Sequence, residues 1–207
     1  PDYQFPQVWR TNLGIDQDYD NGLTLSLDVS YTKDINGPQV QNWGFKKPSG
    51  SLAGVDNRVI YTANDFVQVD VPFPANASAY VFSNSDLGRI WNYSLKLEKT
   101  FDSGLYTSLA YNHLNAKDVN SIEAEITGDA FDFNPVVGDA NAETLSYSKY
   151  GDMHRVVGVA SQSWNYGTNE RWGSTITTFF EYNRGGRYSY TYAGDINGDG
   201  RGGNDLL

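Results

Sequence analysis

The fold of this chain is constrained most by three pairs of segments in which apolar and polar residues alternate. A short connection joins the two segments of each pair. We predict strands at Val8–Gln17 with Leu23–Lys33, Arg89–Phe101 with Leu105–Leu114, and His154–Tyr166 with Ser174–Tyr182. The connections inside these pairs are Asp18–Gly22, Asp102–Gly104 and Gly167–Gly173, whereas those between pairs are far longer. Short and long connections in alternation are typical of outer-membrane β-barrels. The sequence therefore predicts an all-β fold, an antiparallel up-and-down meander that is a partial segment of a transmembrane β-barrel with long outer loops.

The predicted strands have one apolar and one polar face. In the segment Leu23–Tyr31 the apolar residues occupy every second position, and small or polar residues occupy the others. A period of two places alternate side chains on opposite faces of a strand. We predict that the apolar positions face lipid, namely Leu25, Leu27, Val29, Trp91, Tyr93, Leu95 and Leu97. Periodicity alone leaves open whether the polar face is the lumen of a barrel or the outside of a sandwich.

Composition narrows the class of protein. Hydrophobic residues make up 39% and aromatic residues 14% of the 207 residues. No apolar run approaches the roughly 18 residues that a transmembrane helix needs. If the chain spans a membrane, we therefore expect it to do so with β-strands. The chain contains no cysteine, which excludes disulfides and thiolate metal sites. Its net charge of −10, with only 15 scattered Lys and Arg residues, argues against nucleic acid as a partner.

The long connections are predicted to be irregular. They are rich in Gly, Pro, Asn and Asp, and no segment of the chain predicts a helix. Within them, Val59–Val71 is a candidate strand or hairpin, and the alternating Tyr188, Tyr190 and Tyr192 suggest that the last strand continues beyond Gly185. About six strands are too few to close a barrel. We therefore expect residues 1–207 to form one partial barrel domain that is cut at both ends.

One short motif has metal-binding chemistry. Oxygen-bearing side chains lie two positions apart in the segment Asp195–Asp205, and Gly200 permits the sharp turn that follows them. This spacing matches positions 1, 3, 5 and 6 of a calcium loop, although the glutamate expected at position 12 is absent. The predicted Ca²⁺ ligands are Asp195, Asn197, Asp199 and Asp205. The alternative is a turn in which Asp and Asn bond only to the local backbone.

Catalytic motifs are lacking. The only two histidines, His113 and His154, fall on different predicted strands, and the sequence has no GxSxG segment, P-loop or GxGxxG segment. The acidic residues offer many carboxylate pairs, but none is singled out for glycoside hydrolysis. We therefore predict that the chain is not an enzyme.

Several segments, taken in their order, resemble a known family of receptors. They are Phe5–Asn12, Gly22–Leu25, Tyr31–Asp34, Val55–Arg58, Leu95–Tyr111, His154–Val157 and Tyr190–Asp205. Together these segments resemble the later barrel strands of Oar-like TonB-dependent outer-membrane receptors of Bacteroidota. The resemblance implies part of a barrel of roughly 22 strands around a plug, in the outer membrane of a Gram-negative bacterium. It further implies that the plug and the segment contacting the TonB complex lie outside these residues.

Two functions of different classes follow from these observations. The first is a part of a TonB-dependent receptor whose wall contacts lipid and whose loops, around Asn42–Asp70 and Asp118–Ala142, meet an extracellular ligand or the plug. The residues do not identify that ligand. The second is a secreted or surface calcium-dependent β-sandwich that acts in binding or adhesion, and a surface polysaccharide hydrolase is a weaker third.

Overall fold

The protein is built around one long antiparallel sheet. The computed structural model describes residues 2–71 and 73–207, so Pro1 and Pro72 of the predicted domain lie outside it. In chain order the strands are β1 (Gln7–Asp18), β2 (Leu23–Asn42), β3 (Gly50–Ser51), β4 (Val59–Ile60), β5 (Gln68–Val71), β6 (Phe73–Asn76), β7 (Tyr80–Ser85), β8 (Arg89–Thr100), β9 (Leu105–Asp118), β10 (Ser146–Tyr147), β11 (His154–Tyr166) and β12 (Trp172–Asn183). The main sheet has the order β1-β2-β8-β9-β11-β12, and β7 and β10 add to β2 and β9.

The predicted meander is confirmed. All six predicted strands are present, and neighbours in the sheet follow each other along the chain. The three short connections join β1 to β2, β8 to β9 and β11 to β12, as the sequence predicts. Gly104 closes the middle connection with a φ of 79°, a conformation that other residues adopt only at a cost. Among the described residues β1 and β12 do not pair with each other, so the sheet is open.

The second strand is longer than predicted. Alternation lapses at Asp34, but β2 continues to Asn42 because its outer half pairs with β7 from Gly37 to Asn42. Pro38 is tolerated there because β1 pairs with β2 no further than Asn36, which leaves one edge of the strand free of ladder bonds. The outer half of β2 thus projects beyond the six-stranded sheet.

The long connections contain more order than predicted. A helix, α1 (Thr127–Asp132), forms where none was expected, and it buries Ala130 and Phe131. The segment Val59–Val71, where a strand or hairpin was expected, contains two short strands that belong to different hairpins. Its β4 pairs with β3, and its β5 pairs with β6. The predicted continuation of the last strand is wrong. β12 ends at Asn183, and beyond it Thr191 forms only an isolated bridge with Leu206.

Hydrophobic burial is concentrated outside the main sheet. The buried cluster comprises Val40, Tyr61, Ala130, Phe131 and Ala140, surrounded by Phe45, Phe66, Tyr80, Phe82, Ile122 and Val136. These residues come from the outer half of β2, from β7 and from the long connections. We call the loop cluster the assembly of residues 43–79, 119–153 and 184–207 on the outer ends of β2 and β7. Within the described residues, no helix has the length and apolar character needed to span a membrane.

Candidate functional site

The main sheet has an exposed apolar face. Residues paired across an antiparallel ladder share a face, and the register pairs Ile15 with Leu27, Leu27 with Leu95, and Leu95 with Tyr111. The exposed aliphatic and aromatic residues in the middle of this face are Leu13, Ile15, Leu27, Leu95, Leu97, Leu109, Ile176 and Phe180. Leu109 has 52% of its surface exposed and Phe180 has 56%. Such a continuous apolar surface is larger than water-soluble proteins usually leave uncovered.

The register also shows which residues of the third hairpin lie on the apolar face. Val156 pairs with Tyr111 and with Tyr182, so it lies on the apolar face. Val157 and Val159 lie on the opposite face, each one position from a residue of the apolar face. The apolar face therefore extends across all six strands.

Aromatic rings border the apolar face at its outer edge, beside the long connections. The tilted rings of Tyr31 and Trp91 have centroids 4.5 Å apart, and the rings of Trp91 and Tyr93 are stacked with centroids 6.0 Å apart. The rings continue through His113 and His154, which come from different strands and have ring centroids 4.8 Å apart. We call this row, which also includes Trp9 and Tyr111, the outer aromatic band.

A second group of rings borders the opposite edge, beside the short connections. Trp164, Tyr166 and Trp172 are exposed there, and Tyr166 pairs directly with Trp172 in the ladder. Phe101 lies at the next short connection and accepts a cation–π contact from Lys99 at 5.1 Å. The apolar face thus has an aliphatic middle between two aromatic edges.

The other face of the sheet is polar and internally hydrogen-bonded. Arg10 Nε donates to Thr32 Oγ1 at 3.0 Å, and Asn112 Nδ2 donates to Asn92 Oδ1 at 2.7 Å. Arg155 forms a salt bridge of 2.8 Å with Glu181. A shallow depression of about 560 Å³ lies among these strands and is lined by polar side chains together with Ile90, Ala110, Leu114 and Val157. Phe179, which pairs with Val159, is exposed on the same face. This face is suited to contact with water or with polar protein surface.

Asn42 joins two long connections at the end of β2. It is 1% exposed, and its Oδ1 accepts hydrogen bonds from the backbone N–H groups of Gly44 and Ala79, both at 2.9 Å. Its backbone N–H and C=O are both bonded to the side chain of Asn141, at 2.8 and 2.9 Å. A buried residue whose Oδ1, backbone N–H and C=O are all hydrogen-bonded fixes the positions of the chains that it contacts.

Tyr61, in the buried cluster, also joins the two long connections through hydrogen bonds. Its hydroxyl donates to Asp139 Oδ1 at 2.8 Å and accepts from the N–H of Ala140 at 3.1 Å. Burial, together with the hydrogen bond to the Asp139 carboxylate, raises the pKa of Tyr61. The tyrosine therefore stays protonated and keeps residues 43–79 bonded to residues 119–153.

Asp65 organises the first long connection as the acidic residue of a capping box whose N-cap residue is Thr62. Its carboxylate accepts hydrogen bonds from the backbone N–H and the hydroxyl of Thr62, and from the same two groups of Ser49, at 2.7–3.0 Å. These donors, the Thr62 backbone first, lower the pKa of Asp65 to about 2. The ionised form is therefore the one that the fold stabilises.

Acidification should release this cap. Because the pKa of Asp65 is lower in the folded chain than its usual value of 3.8, its stabilising effect is complete above pH of about 4 and disappears as the pH falls toward 2. We expect hydrogen-exchange protection of the Ser49 and Thr62 amides to fall over that range. In Asp65→Asn the protection should be low at neutral pH and nearly independent of pH. Equal pH dependence in both proteins would contradict the assignment.

The segment Asp195–Asp205 forms a compact turn against the loop cluster. The exposed Asp195 accepts hydrogen bonds from the N–H groups of Gly198 and Gly200 at 2.7 and 2.9 Å. Asn197, Asp199 and Asp205 are 0%, 5% and 0% exposed. Burial is the largest cause that raises the pKa of Asp199. Of the predicted calcium ligands, three are thus buried together in the turn, and Asp195 lies at its surface.

A further residue of this turn was missed by the sequence analysis. Asn204 is 3% exposed, and its Nδ2 donates to Asp199 Oδ2 at 3.0 Å. Its position next to Asp205 was the available signal. Within the described residues, no three His, Cys, Asp or Glu side chains form a group that could hold a metal ion. Any metal in this turn would therefore depend on amide and backbone oxygens as well as on carboxylates.

A cleft of about 690 Å³ opens between residues 119–149 and 187–206 of the loop cluster. Its walls carry the exposed rings of Phe133, Tyr147 and Tyr188 and the cations Lys149 and Arg187. Of the two regions predicted to meet a ligand, 118–142 borders this cleft. The other, 42–70, supplies core and caps of the loop cluster and does not line the cleft.

The comparisons with known proteins add no assignment. Neither protein-family models, nor curated proteins, nor solved structures gave a match to this chain.

Proposed function

We propose that this chain is part of a TonB-dependent outer-membrane receptor, and that it supplies barrel wall and extracellular loops for ligand uptake. The observation that carries the proposal is the exposed apolar face with aromatic edges. In water, such a face costs roughly 25 cal/mol for each Å² of apolar surface. In a bilayer the same face meets hydrocarbon, and the aromatic edges meet the headgroup region.

The height of this face fits a bilayer. Trp91 in the outer aromatic band and Phe101 at the short connection are ten positions apart along β8 and its end. At about 3.3 Å per residue this is roughly 33 Å of strand. Strands of membrane barrels tilt by about 40°, which reduces the span to about 25 Å, the height of their apolar band.

The loop cluster lies at the end where the long connections emerge. In outer-membrane barrels the long connections are extracellular and the short ones periplasmic. The cleft between residues 119–149 and 187–206 would then face the medium, with exposed aromatic rings beside both cationic and acidic side chains. The energised step requires a plug and a TonB-contacting segment, and for this part the proposal relies on the resemblance to Oar-like receptors.

The secreted β-sandwich has less support. A sandwich buries its apolar face against a second sheet, and within the described residues the apolar face remains exposed across six strands. Its calcium-dependent character would rest on the turn near the C-terminus alone.

Spin labels on single cysteines test the proposal, since the chain contains no cysteine of its own. We expect Leu95→Cys, in protein reconstituted into lipid vesicles, to collide often with dissolved O₂ and rarely with a water-soluble nickel complex. Ser94→Cys, one position away on the polar face, should show the reverse preference. Low collision rates with both reagents at position 95 would indicate a face buried by protein and would overturn the membrane assignment.

A further inference from the structure

We propose that the turn near the C-terminus binds Ca²⁺ through Asp199, Asn204 and Asp205, and that the bound ion fixes residues 184–207 to the rest of the loop cluster. This site is independent of the proposed membrane location, because all its residues lie in the loop cluster. The observation behind it is a pair of buried oxygens without partners. Asn204 Oδ1 and Asp205 Oδ1 are inaccessible to solvent and accept no hydrogen bond from any described residue.

Both oxygens belong to side chains that are held inside the turn. Asp205 Oδ2 accepts from the N–H of Ile196 at 2.8 Å, and Asn204 Nδ2 donates to Asp199. The second terminal atom of each side chain is therefore fixed within the same turn. Leaving a buried acceptor unpaired costs about 1–3 kcal/mol, and more for a charged group. Two such atoms in one turn indicate a missing partner.

A cation is a better partner than a neutral donor. Neither Asp199 nor Asp205 forms a salt bridge within the described residues, although two arginines are near. Arg58 is bonded to Asp56 and to the carbonyl of Leu206, and Arg201 is bonded to Asp132. Asp199 accepts hydrogen bonds from the N–H of Arg201 and from the amides of Asn197 and Asn204, whereas Asp205 Oδ1 has no donor among the described residues. Two buried carboxylates without a salt bridge are costly. A divalent ion would compensate both charges at once.

The chemistry of the oxygens selects Ca²⁺. Carboxylate and amide oxygens suit hard cations, and an irregular set that includes backbone carbonyls suits Ca²⁺ better than Mg²⁺, which requires near-octahedral geometry. Only two buried carboxylates contribute, so we expect the dissociation constant of about 10⁻⁴–10⁻³ M that is usual for extracellular calcium modules.

The turn is bonded to both other parts of the loop cluster. The carbonyl of Asn197 accepts from the N–H of Tyr61 at 2.6 Å, and Asn197 Nδ2 donates to the carbonyl of Gly138 at 2.8 Å. The carbonyl of Asn204 accepts from the N–H of Val136 at 2.9 Å. An ion that orders this turn therefore also strengthens its attachment to residues 43–79 and 119–153.

Calorimetric titration of the full chain with CaCl₂, after treatment with a chelator, tests the site. We expect one binding event, an affinity at least tenfold weaker in Asp205→Asn, and no change in the control Asp86→Asn, which removes an exposed carboxylate elsewhere. Absence of binding to the folded wild-type chain, or equal binding by Asp205→Asn, would overturn the proposal.

A variant that is expected to bind Ca²⁺ more tightly distinguishes an effect on the site from an effect on folding. Asn204→Asp places a charged oxygen where the unpaired amide oxygen lies, so we expect Ca²⁺ to bind about tenfold more tightly. Ca²⁺ should also protect Arg201, within the turn, from trypsin in the wild type and in this variant. If Asn204→Asp binds no more tightly than the wild type, Asn204 is not a ligand and the assignment fails.

Discussion

Phe131→Ala should unfold the loop cluster while leaving the main sheet intact. Phe131 is 5% exposed, and its ring lies 5.7 Å from the rings of both Phe45 and Tyr80. Removal of a buried phenylalanine ring costs about 3–5 kcal/mol, because the cavity is only partly refilled. We expect the free energy of opening, measured by native-state hydrogen exchange at the Tyr61 and Val67 amides, to fall by that amount. Amides of β8 and β9 should be unaffected.

Phe133→Ala is the matched control for this prediction. Phe133 lies two positions further along and is 74% exposed, so its truncation removes little buried surface. Hydrogen exchange in this variant should stay within about 0.5 kcal/mol of the wild type. An equal loss of protection in both variants would show that the buried ring is not what holds residues 43–79 and 119–153 together.

Leu27→Arg should block stable insertion of the sheet into a membrane. Leu27 lies in the aliphatic middle of the apolar face, paired with Ile15 on one side and Leu95 on the other. An arginine at the midplane of a lipid-facing strand costs about 2–4 kcal/mol. We expect urea titrations in lipid vesicles to show a loss of that size, and cell fractionation to show less protein in the outer membrane.

The control variant changes the residue next to Leu27. It tests whether the effect depends on the apolar face or arises from any arginine in β2. Asp28 is exposed on the polar face of the same strand, so Asp28→Arg introduces the same side chain without placing it in hydrocarbon. This variant should insert and unfold like the wild type. If Leu27→Arg also behaves like the wild type, the apolar face is not the lipid-facing surface, and the proposed function loses its main support.

The sheet was predictable because its determinants are local. Alternation in segments such as Leu23–Tyr31 specifies strands, and a glycine such as Gly104 specifies where a tight connection turns. Both signals lie within a few residues of the structure that they determine. The order of the sheet followed from the same signals, since short connections place consecutive strands side by side.

The loop cluster was not predictable because its determinants are distant in sequence. The outer half of β2 is stabilised by β7, and its end is fixed by Asn141, 99 residues away from Asn42. The helix α1 is only six residues long and forms because Ala130 and Phe131 are buried against other connections. Too short to be stable alone, such a helix leaves no periodic signal in the sequence.

The segment Asp195–Asp205 illustrates an intermediate case. Spacing alone made Asp195, Asn197, Asp199 and Asp205 candidate Ca²⁺ ligands, but it could not show that both carboxylate oxygens of Asp195 would accept hydrogen bonds from the backbone of the turn. Nor could spacing reveal that the side chain of Asn204 would be enclosed. Which of the candidate oxygens become buried depends on contacts of the turn with Gly138 and Tyr61, and these residues belong to the long connections.

The length of β2 has a mechanical consequence. One strand of 20 residues runs from a short connection into the loop cluster, paired with β1 and β8 in its first half and with β7 in its outer half. Its ladders are irregular around Ile35, where the register with β1 shifts and the pairing passes from β8 to β7. Hinges form where a few residues can change their backbone angles, so any change in the orientation of the loop cluster relative to the main sheet should be centred on Ile35.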